Sequence, residues 1–131
     1  MKELEEVSNK PIADSTGLFA LLEGLLRLPA GWDSYRAPAP TIAAVSNARR
    51  FLRTMLDGGL CPSSVDASAV GGVAITVRRG GRKGYAEFYN DAGAVLLLAD
   101  DGSEELATRD LATTTAAYSE AIREIREYVD G

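Results

Sequence analysis

A chain of 131 residues with 46% hydrophobic and 25% charged side chains is long enough to bury one core without disulfides or a structural metal, and its balance lies far from that of disordered chains. It has no histidine and a single cysteine, Cys61, which excludes Cys/His zinc sites, Ser-His-Asp and Cys-His catalysis, histidine-ligated haem and any internal disulfide. The net charge of −5 argues against a generic nucleic-acid binder, but it is unevenly spread: residues 1–48 sum to −2, residues 49–83 to +5 and residues 84–131 to −8.

Residues 1–14 place Leu4 and Val7 among charges and end in Lys10-Pro11, which reads as a mobile arm and neither a secretory leader nor a transit peptide. Asp14, Ser15 and Thr16 offer an N-cap. Leu18, Leu21, Leu22, Leu25, Leu26 and Leu28 then recur at helical steps, predicting a helix from about 16 to 28, stopped by Pro29. With Phe19 the stripe is broad, so contact on more than one side is expected. The stretch is interrupted by Glu23 and Arg27 and is far short of a membrane span.

After a Trp- and Pro-bearing segment, Thr41 can cap a second helix. Its stripe is Ile42, Val45, Ala48, Leu52 and Met55 or Leu56, and Gly58-Gly59 ends it. Cys61 beside Pro62 reads as a small buried hydrophobe.

From Val65 the period changes to two. Val73, Ile75 and Val77 alternate with smaller or polar residues up to Gly80-Gly81, a two-residue hairpin turn. Setting Arg79 opposite Arg82 places Arg78 opposite Lys83, Ile75 opposite Ala86 and Val73 opposite Phe88. One face then holds Val73, Ile75, Val77, Ala86 and Phe88, and the other Thr76, Tyr85, Glu87 and Tyr89. Asn90-Asp91-Ala92-Gly93 is a second turn with Gly93 at a left-handed position. The continuous run Val95 to Leu98 in a strand Ala94–Ala99 predicts cover on both faces. Asp100-Asp101-Gly102 closes that strand, and Val65–Val70 adds an edge strand.

A last helix, roughly Asp110 to Val129, carries the stripe Leu111, Tyr118, Ile122, Ile125 and Val129, with Arg123/Glu127 and Arg126/Asp130 four apart on the wet side. The expected fold is therefore α+β: a three- or four-stranded antiparallel meander, with two N-terminal helices and one C-terminal helix on one face, forming a single domain over 15–131.

The segment Leu28-Pro29-Ala30-Gly31-Trp32-Asp33-Ser34-Tyr35-Arg36-Ala37 resembles a widespread group of small, uncharacterised bacterial proteins. In that group a Leu-Pro-x-x-Trp-Asp-x-Tyr-x-Ala segment precedes a capped helix, and a Gly-Gly-Val strand opens an antiparallel sheet. Here Trp32, Asp33, Tyr35, Ala37, Gly71, Gly72, Val73, Glu87, Phe88 and Gly93 carry the likeness, over about residues 25 to 100. The resemblance implies a fold neighbourhood and no mechanism.

Three candidate sites follow. Trp32, Asp33 and Tyr35 join aromatics to a carboxylate, as suits a peptide, a sugar or a cationic group; the alternative is an interhelix corner in which Asp33 accepts backbone N–H groups. Arg78, Arg79, Arg82 and Lys83 ring the glycine turn, where like charges facing each other call for an anion or an acidic partner, or serve to blunt an exposed hairpin. Arg49, Arg50 and Arg53 on the second helix extend this patch if they lie near it, or else form a solvated face. For an enzyme, Asp33, Glu87, Asp91, Asp100 and Asp101 are the available carboxylates, but Asp91, Asp100 and Asp101 sit in turns beside glycine, and no phosphate loop or nucleophile elbow occurs. No metal site or cofactor is indicated.

The expected function is non-enzymatic binding of another protein, in the manner of an antitoxin, immunity or inhibitor module. The rivals are nucleic-acid or phosphate-anion binding at Arg78 to Lys83 and a carboxylate or metal-dependent enzyme. A cytoplasmic location without membrane contact fits the cysteine usage.

Overall fold

The computed structural model describes residues 17–33, 36–100, 102 and 105–131. The expected arm over 1–14, the caps Asp14 to Thr16, Tyr35 and Asp101 lie outside the described residues. Helix α1 is described over residues 17–24 and tightens into a 3-10 turn at Leu25–Arg27. Helix α2 spans Ile42–Asp57. Five strands follow, β1 Ser64–Ser68, β2 Gly72–Arg79, β3 Arg82–Tyr89, β4 Ala94–Asp100 and β5 Glu105–Asp110, and helix α3 spans Thr115–Asp130.

The strands form one antiparallel meander in the order β1-β2-β3-β4-β5. The β2–β3 register is the one the alternation predicts, with Arg79 opposite Arg82, Ile75 opposite Ala86 and Val73 opposite Phe88. Gly80 and Gly81 both take positive φ, 55° and 85°, as a hairpin turn matched to strand twist requires. In the next turn the left-handed residue is Ala92, at φ 78°, and not Gly93. Asp91 Oδ1 accepts the Gly93 N–H at 2.9 Å, an Asx turn that holds the backbone in this shape.

The expectation of three or four strands is corrected by β5. Its sequence, Glu-Leu-Ala-Thr-Arg-Asp, is polar and lies on an edge, so neither composition nor alternation marks it as a strand. Pairing with β4 defines it, through contacts such as Leu97 opposite Thr108 and Leu98 opposite Ala107. The last helix consequently begins at Thr115, where the Thr114 side chain caps the Ala117 N–H at 3.2 Å.

Helices α2 and α3 pack together and against one face of the sheet, over β2, β3 and β4. Their apolar stripes meet Val73, Ile75, Val77, Ala86, Phe88, Leu96 and Leu98. At the centre the rings of Phe51, Phe88 and Tyr118 lie 5.2 to 6.0 Å apart, and two of the three contacts are edge-to-face. Gly84 marks the close approach of α3, since a Cβ there would meet Ile125 at 3.0 Å.

Several burial expectations are reversed. Val95 and Leu97 point away from the helices and stay partly exposed, so β4 is not covered on both faces by described elements. Ile42 is 72% and Leu21 49% exposed; the first helix sinks Leu22 and Leu25, packs Leu18, Phe19 and Leu28 partly against the core, and leaves Leu21 and Leu26 outside. Cys61 is exposed.

Candidate functional site

The basic hairpin is held by the chain itself. Arg79 and Arg82, facing each other across the turn, both reach the C-terminal end of α3. Arg79 Nη1 donates to Asp130 Oδ1 at 2.6 Å. Arg82 Nη1 donates to the Tyr128 carbonyl at 2.8 Å, with its guanidinium 5.2 Å from the Tyr128 ring centroid. A helix C-terminus carries unpaired carbonyls and partial negative charge, so it accommodates both guanidinium groups, one of them ion-paired with Asp130. The like-charge pair that the register creates thus serves to fasten the hairpin to α3.

Arg78 and Lys83 alternate with Arg79 and Arg82 and project to the opposite face of the sheet. Lys83 Nζ lies 5.9 Å from the Tyr85 ring centroid. The Arg78 backbone binds Ser63 Oγ, while its side chain is exposed with no hydrogen bond or ion pair to another described residue. Of four hairpin cations, only these two face outward together.

The arginines of α2 do not extend this patch, because each has a partner elsewhere. Arg49 pairs with Glu23 of α1 at 2.8 Å. Arg50 donates twice to the Thr113 carbonyl, at 2.6 and 3.1 Å, and lies over the Tyr118 ring. Arg53 covers Phe19. They bind α2 to the helices on either side.

The Trp32 segment forms a corner. Trp32 Nε1 donates to the Pro38 carbonyl at 3.2 Å, Gly31 N–H to the Ala37 carbonyl at 2.8 Å, and Asp33 Oδ1 accepts the Ala37 N–H at 3.3 Å. The chain then docks on Asn90, a residue that sequence reasoning treated only as part of a turn. Asn90 donates to the Ala39 carbonyl at 3.0 Å and accepts the Thr41 N–H at 2.9 Å. Its long-range role leaves no local signal, because the same residue type is ordinary in a turn.

The sheet face opposite α2 and α3 is the remaining candidate. Its rows follow from the pairing: Arg78, Lys83, Ala99 and Glu105; then Ser64, Thr76, Tyr85, Leu97 and Thr108; then Asp66, Ala74, Glu87, Val95 and Asp110. Beyond these, Ser68 donates to Glu87 Oε2, and the Tyr89 hydroxyl donates to Glu87 Oε1 at 3.3 Å. Burial pushes the Tyr89 phenol above its ordinary pKa, and the Glu87 charge adds to this. The alternation already placed Thr76, Tyr85, Glu87 and Tyr89 together; what it did not reveal is that no described helix covers them.

The carboxylates are dispersed. Asp33 lies at the corner, Glu87 on the open face, and Asp91 and Asp100 accept the N–H groups of Gly93 and Gly102 in their turns. Among the described residues no group of three or more Asp, Glu or Cys is placed to hold a metal ion. A shallow depression of about 210 Å³ between α2 and α3, lined by Thr54, Gly58, Ser119, Ile122, Arg123 and Arg126, contains no carboxylate; Arg126 is committed to the Gly58 carbonyl. The expected Arg126/Asp130 and Arg123/Glu127 pairs do not form, since Asp130 pairs with Arg79 and Arg123 approaches Glu120 at 4.0 Å. No described helix is long and apolar enough to cross a membrane. No family model, curated protein or solved structure matches this chain.

Proposed function

We propose that this chain is a non-enzymatic protein-binding module of the antitoxin, immunity or inhibitor kind, and that the open sheet face is its docking surface. One observation carries the reading. Two helices cover one face of a five-stranded sheet, while the other presents Tyr85, Val95 and Leu97, partly exposed, within a rim of Arg78, Lys83, Asp66 and Asp110. Aromatic and aliphatic groups inside a charged margin of both signs make up the usual composition of a protein interface.

Binding of nucleic acid is the weaker alternative for this surface. Tyr85 and Tyr89 offer stacking planes, but Asp66, Glu87 and Asp110 would lie against phosphates, and Arg79 and Arg82 are engaged at α3. The test is affinity capture from the native host with wild-type and Leu97→Gln baits. A protein retained by the first and lost by the second is the expected result. Equal retention by both, or recovery of RNA or DNA instead, overturns the reading.

A further inference from the structure

The open face has a charge pattern that fits itself. Over β1 to β3, the row Thr76, Tyr85, Leu97 separates Arg78 and Lys83 from Asp66 and Glu87, whereas on β5 both levels are acidic, with Glu105 in the row of Arg78 and Lys83 and Asp110 in the other. Each charged row lies two residues from the middle row, about 7 Å along the strand. Over β1 to β3 the pattern is therefore antisymmetric about the middle row, and at the β5 edge it is not. Arg78, Asp66 and Asp110 have no ion-pair partner among the described residues, which leaves their charges available.

We propose that the occupant of this face is a second copy of the same chain, packed sheet to sheet about a two-fold axis that crosses the strands at the Thr76–Tyr85–Leu97 row. The inference rests on the reading of this face as a protein-docking surface, for which a weak dimer and a foreign partner compete. A closed dimer uses one patch twice, so the patch must complement itself. Of the two in-plane two-fold axes, the one along the strands lays basic on basic and acidic on acidic. The one across the strands lays Lys83 over Glu87 of the second copy and Arg78 between its Asp66 and Glu87, with Asp110 near its Glu105 at the sheet edge as the one unfavourable pairing. The same rotation sets Tyr85 against Tyr85 and Leu97 against Leu97, giving an apolar centre with charged pairs outside it. A foreign partner has no need of this antisymmetry over β1 to β3; a second copy uses it.

Sedimentation equilibrium on the full chain from about 10 µM to about 1 mM tests this, a range that reads dissociation constants of weak dimers. The apparent mass is expected to rise toward twice that of the monomer. The variant Arg78→Glu with Lys83→Glu, and the variant Asp66→Lys with Glu87→Lys, are each expected to weaken self-association at least about tenfold, and mixing the two to restore it, because reversed rows then meet reversed rows. If Glu87→Lys disturbs folding, as judged by circular dichroism, the mixture is made from Arg78→Glu and Asp66→Lys alone, which leaves Lys83 over Glu87 in both copies. A wild type that keeps the monomer mass at the highest concentration overturns the proposal, as does a dimer indifferent to both variants or a mixture that fails to associate. In any of these cases the docking reading is judged separately, by whether a different protein is captured by wild type and lost by Leu97→Gln.

Discussion

On one face of the sheet Val73, Ile75, Val77, Ala86, Phe88 and Leu96 are almost wholly withdrawn from solvent, and on the other Thr76, Tyr85, Glu87, Val95 and Leu97 remain partly exposed. The same five strands supply both. The first face is chosen by the stripes of α2 and α3, which have apolar area to bury and no other place to bury it. The second is left with mixed chemistry and charges of both signs. Charge is divided in the same way at the hairpin, where alternation sends Arg79 and Arg82 to the end of α3 and Arg78 and Lys83 to the open side. A basic cluster in sequence is thereby split into a structural half and an outward half.

The sharpest way to break this contrast is to empty the covered face. Phe88→Ala removes a ring packed against Phe51 and Tyr118 and is expected to cost about 3–5 kcal/mol in denaturant unfolding, whereas Val95→Thr on the open face is expected to cost under about 1 kcal/mol. Comparable losses for the two would show the open face to be core. Gly72→Ala is expected to destabilise by more than about 2 kcal/mol, since Gly72 has φ 138° and a Cβ would lie 2.0 Å from the Phe88 carbonyl oxygen.

Smaller effects distinguish the two halves of the hairpin. Arg82→Ala is expected to cost about 1–2 kcal/mol, with faster hydrogen exchange in the last turn of α3, through loss of the carbonyl contact and the Tyr128 packing. Arg78→Ala is expected to change stability by less than about 0.5 kcal/mol, because its side chain is exposed and unpaired among the described residues. The Arg79–Asp130 pair is close to half exposed at both ends, so Asp130→Asn is expected to lose no more than about 1 kcal/mol.

A tyrosine on each face gives a pH test. Burial pushes the Tyr118 phenol up, with Arg50 partly opposing it, and Tyr89 is raised as described above. In each case the unfolded chain loses its phenolic proton first. The contribution is therefore fully present below the ordinary tyrosine pKa of about 10 and is lost as pH rises through the higher folded value. Tyr118→Phe is expected to flatten the alkaline decline. At neutral pH it is expected to be neutral or stabilising by about 1 kcal/mol, because the Tyr118 hydroxyl is buried with no hydrogen-bond partner among the described residues. Thermal melts from neutral to strongly alkaline pH check both statements.

Local chemistry made much of the fold legible. Gly80-Gly81 between alternating segments defined the hairpin and its register, and the spacing of Tyr118, Ile122, Ile125 and Val129 defined the buried stripe of α3. The apolar run of β4 misled because hydrophobicity states that a residue tolerates burial and not what is placed over it. Ile42 and Leu21 misled for the same reason. Strand β5 was illegible because its only qualification is an available β4 edge. At the candidate site, the membership of the open face could be read from alternation, while its openness could not.

The sequence by itself determined the elements whose causes lie within a few residues: the capped helix α2, the buried stripe of α3, the β2–β3 hairpin, the turns at Asp91 and Asp100, and the absence of histidine that removes whole classes of chemistry. Only the tertiary structure decided what the charges are for. Arg79 and Arg82 meet residues 128–130, some fifty positions away, and Asn90 clamps a segment a similar distance earlier in the chain. Such pairings depend on how helices and sheet pack, which local periodicity does not encode, and they turn the basic hairpin into a latch while leaving the opposite face of the sheet as the surface with charge to spare.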